Sequence, residues 1–355
     1  MELKLIETVN KKAKPQDESK LEFGHHFTDH MFLMEYNQTL GWHNARIEPY
    51  APLSLEPSTL VLHYGQGIFE GLKVYKGPDG SALLFRPQDN FQRLNASARR
   101  MCMPEVDTDF VLDCLIKLVK LEQDWIPTSP DTSLYIRPTM ISTDQYIGVK
   151  AATNYLFFII LSPVGPYYPG GLQPVKIYIE DHYIRAAKGG LGEAKTMANY
   201  AASLLAGEEA AKKGFTQVLW LDAAEKRYVQ EVGSMNMFFK IDGKVITPPL
   251  DGTILPGITR NSVLKLCAEL GMPTVERPIA IEEIFAAHSN GKLEEAFGTG
   301  TAAVISPVGE LYYEDKSYVI NNGQAGEFSL KLYDTLTSIQ YGKRIDSHGW
   351  STKIF

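Results

Sequence analysis

The sequence predicts a two-domain α+β protein. A smaller N-terminal α/β domain covers residues 1–165, a linker 166–176, and a larger C-terminal mixed-sheet domain 177–355. Three observations lead there. A chain of 355 residues exceeds one ordinary hydrophobic core. The run PYYPGGLQP, residues 166–174, packs three prolines and two glycines into nine positions, a strong break. Hairpin-like strand pairs also recur among amphipathic helices, too often for a regular βαβ wheel.

The elements follow in order. HFTDHMFLMEY (26–36) has strand patterning, and LKVYK and SALLF flank a PDG turn as a hairpin. NFQRLNASARRM (90–101) places apolar residues at helical spacing. DFVLDCLIKLVKLEQDW (109–125) is an amphipathic helix with Asp107 or Thr108 as its cap. SLYIRPTMIS (133–142) and NYLFFIILSPVG (154–165) are β-rich. Beyond the linker come VKIYIE, a helix over about 199–213, QVLWLD, SMNMFFKID and KVITPP. A helix over about 259–270, a second near IEEIFAAHSNG and the run AAVISPVG complete the chain.

Composition narrows the class. Hydrophobic residues are 44% and charged residues 22%, ordinary for a globular protein. The formal charge of −7 disfavours a general nucleic-acid binder. The N-terminus lacks the apolar core of a secretory signal. The longest apolar run, YLFFIIL at 155–161, falls far short of the ~20 residues of a membrane helix. Cys102, Cys114 and Cys267 are widely spaced and form neither a disulfide framework nor a zinc ribbon. A cytoplasmic location without membrane or nucleic-acid partners is expected.

One isolated lysine carries the chemical question. In GGLGEAKTMANYAAS, Lys195 stands between a glycine-rich loop and an alanine-rich helix. It is either an ordinary solvated charge or an amine that desolvation makes nucleophilic toward carbonyls. Further residues suit an anionic, aromatic cofactor. Pro256 and Gly257 turn the chain into a helix opened by Ile258 and Thr259, where N–H groups and the dipole favour an anion. The turn in FGTGTAAV (297–304) offers small-residue backbone N–H groups and hydroxyls but no Walker lysine. Glu231, before an apolar strand, needs a cationic partner if buried, and a protonated pyridine nitrogen is one. Tyr135 and Arg137 lie two apart on a strand and share a face, either clamping an acid or packing across strands. Arg93 is a solvated charge or, turned inward, a phosphate ligand. His26 and His30 stand four apart in a strand-like segment without the glutamate of HExxH, so no metal site is expected.

Taken together, FTDHM, HYGQGIFEGLK, LFRP with NFQRL, SLYIRP, GGLGEAKTMANYAAS, EVGSMN, ILPGITR and FGTGTAAVISPV resemble, in this order, the branched-chain aminotransferases of the fold-type IV pyridoxal-phosphate enzymes. The resemblance runs from FGHHFTDHM to QYGKRIDSHGW. It implies a Schiff base between Lys195 and pyridoxal 5′-phosphate in the C-terminal domain, with the N-terminal domain on the substrate side. It implies a phosphate site of Arg93, the Ile258–Thr259 backbone and Thr301. Tyr200 would meet the phenolic oxygen and Glu231 the ring nitrogen. Phe23, Tyr64, Tyr135 and Ser234 would border an apolar pocket, and Arg137, Tyr64 and the Thr301–Ala302 backbone would take substrate carboxylates. Ile147 and Val149 would come across a homodimer interface. The implied reaction moves the amino group of leucine, isoleucine or valine to 2-oxoglutarate, giving branched 2-oxo acids and glutamate.

Within the fold type, a D-amino-acid aminotransferase and an aminodeoxychorismate lyase are the rivals, and SLYIRP and HYGQG favour the branched-chain enzyme. Two departures stand out. Met197 and Ala198 replace the glycines common after the lysine, and Ala303–Ser306 replaces the CxxC pair of some relatives.

Overall fold

The computed structural model describes residues 1–167 and 172–355, so part of the proline- and glycine-rich break lies outside the described residues. The chain divides into two compact units. Unit 1 comprises Met1–Tyr167, Ala194–Met197 and Ser338–Phe355; unit 2 comprises Tyr168–Glu193 and Ala198–Thr337.

The elements, in chain order, begin with β1 (Lys4–Leu5), β2 (His30–Asn37), β3 (Gly41–Pro49), α1 (Leu60–Tyr64), β4 (Gly67–Phe69), β5 (Leu72–Lys76) and β6 (Ala82–Phe85). Next come α2 (Pro87–Arg100), α3 (Thr108–Leu121), β7 (Ser133–Ser142), β8 (Asn154–Val164) and β9 (Val175–Glu180). They continue with α4 (Met197–Ala202), α5 (Leu204–Lys212), β10 (Gln217–Leu221), β11 (Val229–Val232), β12 (Met235–Ile241) and β13 (Lys244–Thr247). Last are α6 (Ile258–Glu269), β14 (Thr274–Glu276), α7 (Ile281–Ser289), β15 (Leu293–Gly300), β16 (Val304–Tyr313), β17 (Lys316–Val319), α8 (Glu327–Gln340) and β18 (Ser351–Lys353).

The sheet of unit 1 runs β1-β3-β2-β8-β7-β5-β6-β18, with β4 also on β7. Its strand alternation explains its two faces. Leu72, Val74, Leu134, Ile136, Phe157 and Ile159 point one way into a core with Phe91 and Leu94 of α2 and Val111, Leu115 and Leu118 of α3. The intervening residues Lys73, Tyr135, Arg137 and Ser162 therefore occupy the other face, with Lys73 opposite Tyr135 and Tyr135 opposite Ser162. Helix α2 starts with proline in its first turn, where the missing N–H costs nothing. Helix α3 is capped by Asp107, whose carboxylate accepts from the Asp109 and Phe110 amides.

The sheet of unit 2 runs β11-β10-β9-β16-β15-β12-β13-β14, and β11 also pairs with β12. Those strands from β11 round to β12 thus close into a barrel. Its core includes Ile177, Leu219, Val232, Met237, Phe239 and Ala296.

Two expectations change. The linear division into halves misses two returns to unit 1. Thr196 bridges Ile68 antiparallel, and β18 pairs with β6, so residues 194–197 and 338–355 join the first sheet. With those segments the N-terminal unit is not the smaller one. The helix expected over about 199–213 is broken at Ser203 into α4 and α5.

Candidate active site

In unit 1, Lys195 is held by its backbone. Its N–H donates to the Ser97 hydroxyl of α2 at 2.9 Å, and its carbonyl accepts from the Phe69 amide at 3.1 Å. The neighbouring Thr196 hydroxyl donates to the Gly67 carbonyl at 2.8 Å. Helix α2 thus holds the lysine on its amide side and strand β4 on its carbonyl side. The side chain is half-buried, with Nζ 4.9 Å from the centre of the Phe69 ring. Met197 finds its place through Gly67. A Cβ on Gly67 would lie 2.7 Å from the Met197 sulfur, so the bulk after the lysine is accommodated by a missing side chain on β4.

Arg93 is turned inward. Its Nε and Nη2 donate to the two oxygens of Glu70 at 2.8 and 2.9 Å, and both side chains are buried. The partner was not foreseen, although a glutamate inside the apolar run GIFEGL is itself a signal.

The expected substrate residues divide into two groups. Phe23 meets Tyr135 edge-on, with ring centres 4.7 Å apart. Arg137 donates to the Tyr135 hydroxyl at 3.0 Å and stacks 4.7 Å from the Phe69 ring centre. Gly71 makes room for that hydroxyl, which would lie 2.1 Å from any Cβ there. Tyr64 does not join this cluster. It ends α1 on the surface, as do Ile147 and Val149 on their loop, which are 72% and 88% exposed. Helix α1 and that loop are fastened together, because Thr59 bridges Gln145 and the Leu60 amide donates to the Asp144 carbonyl. A groove of ≈ 660 Å³ lies beside them, lined by Leu33, Glu48, Leu53, Thr143 and Leu156 among others. None of the candidate residues lines it.

In unit 2, Glu231 is buried on β11, and its cationic partner is a protein group. Arg185 Nε lies 2.9 Å from Glu231 Oε2, while Oε1 accepts from the Leu255 amide at 2.7 Å. Arg185 also donates to the Thr253 carbonyl at 2.9 Å. The glycine-rich loop before the lysine has a structural reason of its own. A Cβ on Gly192 would stand 2.2 Å from the Thr253 carbonyl oxygen. Asn199 ties α4 to the same loop through the Leu191 carbonyl at 2.8 Å, and Tyr200 follows it half-buried.

Helix α6 begins at Ile258 after Gly257 with no side-chain cap, and Thr259 is buried in its first turn. A Cβ on Gly257 would be 2.0 Å from Asn236 Oδ1, so the turn admits only glycine without rearrangement. The GTGTA stretch is the β15–β16 hairpin, with Thr301 and Ala302 half-buried in its turn. Beside it the Thr299 hydroxyl is buried and has no partner among the described residues. Ser234 is exposed in the β11–β12 turn.

His30, unlike the exposed His26, is engaged by protein groups. His30 is buried against Glu122 through Nδ1 and accepts the Thr8 amide at Nε2, 2.9 Å away. Among the described residues no group of three or more His, Cys, Asp or Glu is placed to hold a metal. No helix among them is long and apolar enough to cross a membrane.

Comparison with known proteins gives a consistent result. The model of the "Amino-transferase class IV" family matches residues 67–311. "Branched-chain-amino-acid aminotransferase 2" of Bacillus subtilis is 55% identical over 347 residues, covering 98% of this chain and 95% of that protein. "Branched-chain-amino-acid transaminase 1" of the same organism is 54% identical, covering 99% of each. Among solved structures, the Escherichia coli branched-chain amino acid aminotransferase has a TM-score of 0.77 at 26% identity, covering 92% of this chain and 99% of that one. The branched-chain aminotransferase of Thermoproteus uzoniensis, solved with norvaline, has a TM-score of 0.77 at 26% identity, covering 92% and 100%. The chain described here therefore belongs to the class IV amino-transferase family.

Proposed function

We propose that this protein transfers the amino group of leucine, isoleucine and valine to 2-oxoglutarate, yielding branched 2-oxo acids and glutamate. The observation that carries the reading is Lys195, a half-buried lysine whose backbone N–H is held by Ser97 and whose carbonyl is held by the Phe69 amide, with its amine beside the Phe69 ring. Near-full-length similarity to branched-chain aminotransferases supports it.

The cofactor is pyridoxal 5′-phosphate. The residues suit it: an uncapped helix start closed to any side chain at Gly257, and a buried Thr299 hydroxyl without a partner among the described residues, are donors for a phosphate. When bound, it acts as the electron sink that makes the α-proton of an amino acid removable.

The chain's own residues supply the rest. Lys195 Nζ takes the α-proton and returns it, and the bonds to Ser97 and Phe69 keep that amine in reach. Arg93 and the N–H groups of Ile258 and Thr259, with Thr301, hold the phosphate. Glu70 fixes the Arg93 guanidinium in one orientation. Glu231 serves the ring nitrogen, with Arg185 holding its carboxylate, and Tyr200 serves the phenolic oxygen. Phe23 and Tyr135 form an apolar wall for branched side chains, with Ser234 at its edge, and Arg137 with the Thr301–Ala302 backbone binds carboxylates. Tyr64, Ile147 and Val149 project from one fastened surface, which supports a homodimer whose second copy they serve. A cytoplasmic location completes the proposal.

A steady-state panel of amino donors on cofactor-loaded protein tests the reading. Leucine, isoleucine and valine with 2-oxoglutarate should turn over, and Lys195→Ala should lower kcat by about 10²–10⁴ or more. Turnover of D-alanine but not of L-leucine would move the assignment to a D-specific relative.

A further inference from the structure

We propose that Asn236 is a positioning residue that joins the ring-nitrogen side of the cofactor site to its phosphate side, by holding the Leu255 backbone against Glu231. The inference rests on the transaminase reading above and names the link between two groups that the reading treats separately.

Strand register sets the arrangement. Glu231 on β11 pairs with Asn236 on β12, and Asn236 pairs with Thr299 on β15. Directly opposite residues share a face, so an acid, an amide and a hydroxyl stand in one row across the three strands. The alternate residues Val232, Met235 and Met237 turn the other way, into the barrel core. All three members of the row are buried. Buried polar groups need partners.

The Leu255 backbone supplies two of them. Its amide donates to Glu231 Oε1 at 2.7 Å, and its carbonyl accepts from Asn236 Nδ2 at 2.9 Å. Nδ2 also reaches Glu231 Oε1, at 3.4 Å. Acid, amide and Leu255 thus form a closed triangle of bonds. The other end of the same amide faces the helix start. A Cβ on Gly257 would stand 2.0 Å from Asn236 Oδ1, and Ile258 and Thr259 open α6 directly after it. Asn236 therefore meets the acid through one atom and the α6 turn through the other. On its far side along the row is the Thr299 hydroxyl, buried and with no partner among the described residues. Asn236 stands between the acid that serves the ring nitrogen and the donors that serve the phosphate.

That position has a chemical consequence. A carboxylate serves a ring nitrogen only while it is aimed at it, and helix N–H groups hold a phosphate only at a fixed distance from that acid. Without the Asn236 amide, the buried Leu255 carbonyl loses its donor, and Leu255 no longer fixes Glu231 Oε1. Arg185 still holds Oε2, so the acid stays buried but less precisely aimed. The effect falls on the cofactor and not on the side chain of the substrate, so it is the same for leucine and for glutamate.

The experiment uses cofactor-loaded enzyme and two variants. Asn236→Asp keeps the size but replaces the donor to Leu255 by an acceptor, and Asn236→Ala removes it. In both, Kd for pyridoxal 5′-phosphate, read from quenching of protein fluorescence, should rise by about tenfold or more. The kcat values for leucine and glutamate should fall by one common factor of about ten or more, with each KM within about threefold of wild type. The visible absorbance maximum of the bound cofactor should move, because the charge on its ring nitrogen depends on Glu231. A space-filling role would leave Asn236→Asp like the wild type in cofactor affinity and spectrum, and that result would overturn the proposal. A loss confined to one of the two substrates would overturn it as well. If neither variant folds, amide exchange in cofactor-free wild type decides. Inorganic phosphate should slow exchange of the Leu255 amide through the shared clamp, and an unchanged rate would overturn the proposal. A wild type that neither binds the cofactor nor turns over leucine would refute the transaminase reading itself, a separate outcome.

Discussion

The Arg93–Glu70 pair sets a quantitative test of how unit 1 is held together. Glu70 is fully buried and Arg93 is 8% exposed, and two bonds of 2.8 and 2.9 Å join them. Replacing Arg93 by Met leaves a buried carboxylate without this cation, and replacing Glu70 by Leu leaves a buried guanidinium without this acid. Each single change should cost about 3–5 kcal/mol. The double variant removes both charges and fills the space with apolar atoms, so it should be near neutral or more stable than either single variant. Coupling in the double-mutant cycle should therefore exceed about 2 kcal/mol. The assay is guanidinium denaturation of cofactor-free protein followed by tryptophan fluorescence. Trp42, Trp125 and Trp350 lie in unit 1 and only Trp220 in unit 2, so the signal reports chiefly the right unit. Single costs below about 1 kcal/mol, or a double variant showing the plain sum, would refute the reasoning.

Three other predictions follow from single contacts. Gly192→Ala drives a Cβ against the Thr253 backbone, should cost about 1–3 kcal/mol in thermal unfolding, and an unchanged midpoint would show that the loop has slack. Asp144 clamps the loop carrying Ile147 and Val149; burial works to raise its carboxyl, but bonds from the Asn154 and Thr153 amides and the Thr153 hydroxyl outweigh it and hold the value down. A depressed acid gives stability that is present above the ordinary value of about 3.9 and lost as pH falls through the folded one, so exchange of the Thr153 and Asn154 amides should gain its acid-dependent acceleration only below about 3.9. Asp144→Ala should speed that exchange at neutral pH, and unaltered rates would contradict the clamp. Burial pushes the Cys114 and Cys267 thiols up to about 12 while Cys102 is exposed, so alkylation of native protein should place one label per chain, on Cys102. Labelling of Cys114 or Cys267 without unfolding would be inconsistent with the core described.

Local patterns carried much of the fold. The apolar runs 133–142 and 154–165 are β7 and β8, Asp107 caps α3, and the PDG turn joins β5 to β6. Each rests on chemistry between residues close in sequence. What was hidden depends on residues far apart. Glu70 meets Arg93 across 23 positions and Arg185 meets Glu231 across 46, and no periodicity announces such pairs. The C-terminal return of β18 onto β6 spans still more chain. The candidate site residues stood out as types in motifs, because lysine, arginine and glutamate in apolar surroundings demand an explanation. Their partners were not. Glu231 illustrates this: its need for a cation followed from burial, but Arg185 supplies it in the structure. Met197 is the reverse case, a departure in sequence that Gly67 accommodates in space.

The central claim is that Lys195 is a prepared amine serving pyridoxal 5′-phosphate in transamination of branched-chain amino acids. Borohydride reduction of the cofactor-loaded protein, followed by proteolysis and mass spectrometry, tests it most directly. The account predicts one modified peptide, carrying the cofactor on Lys195, and protection from this labelling when leucine is added first. Attachment at another lysine, or no attachment to a protein that still transaminates leucine, would contradict it.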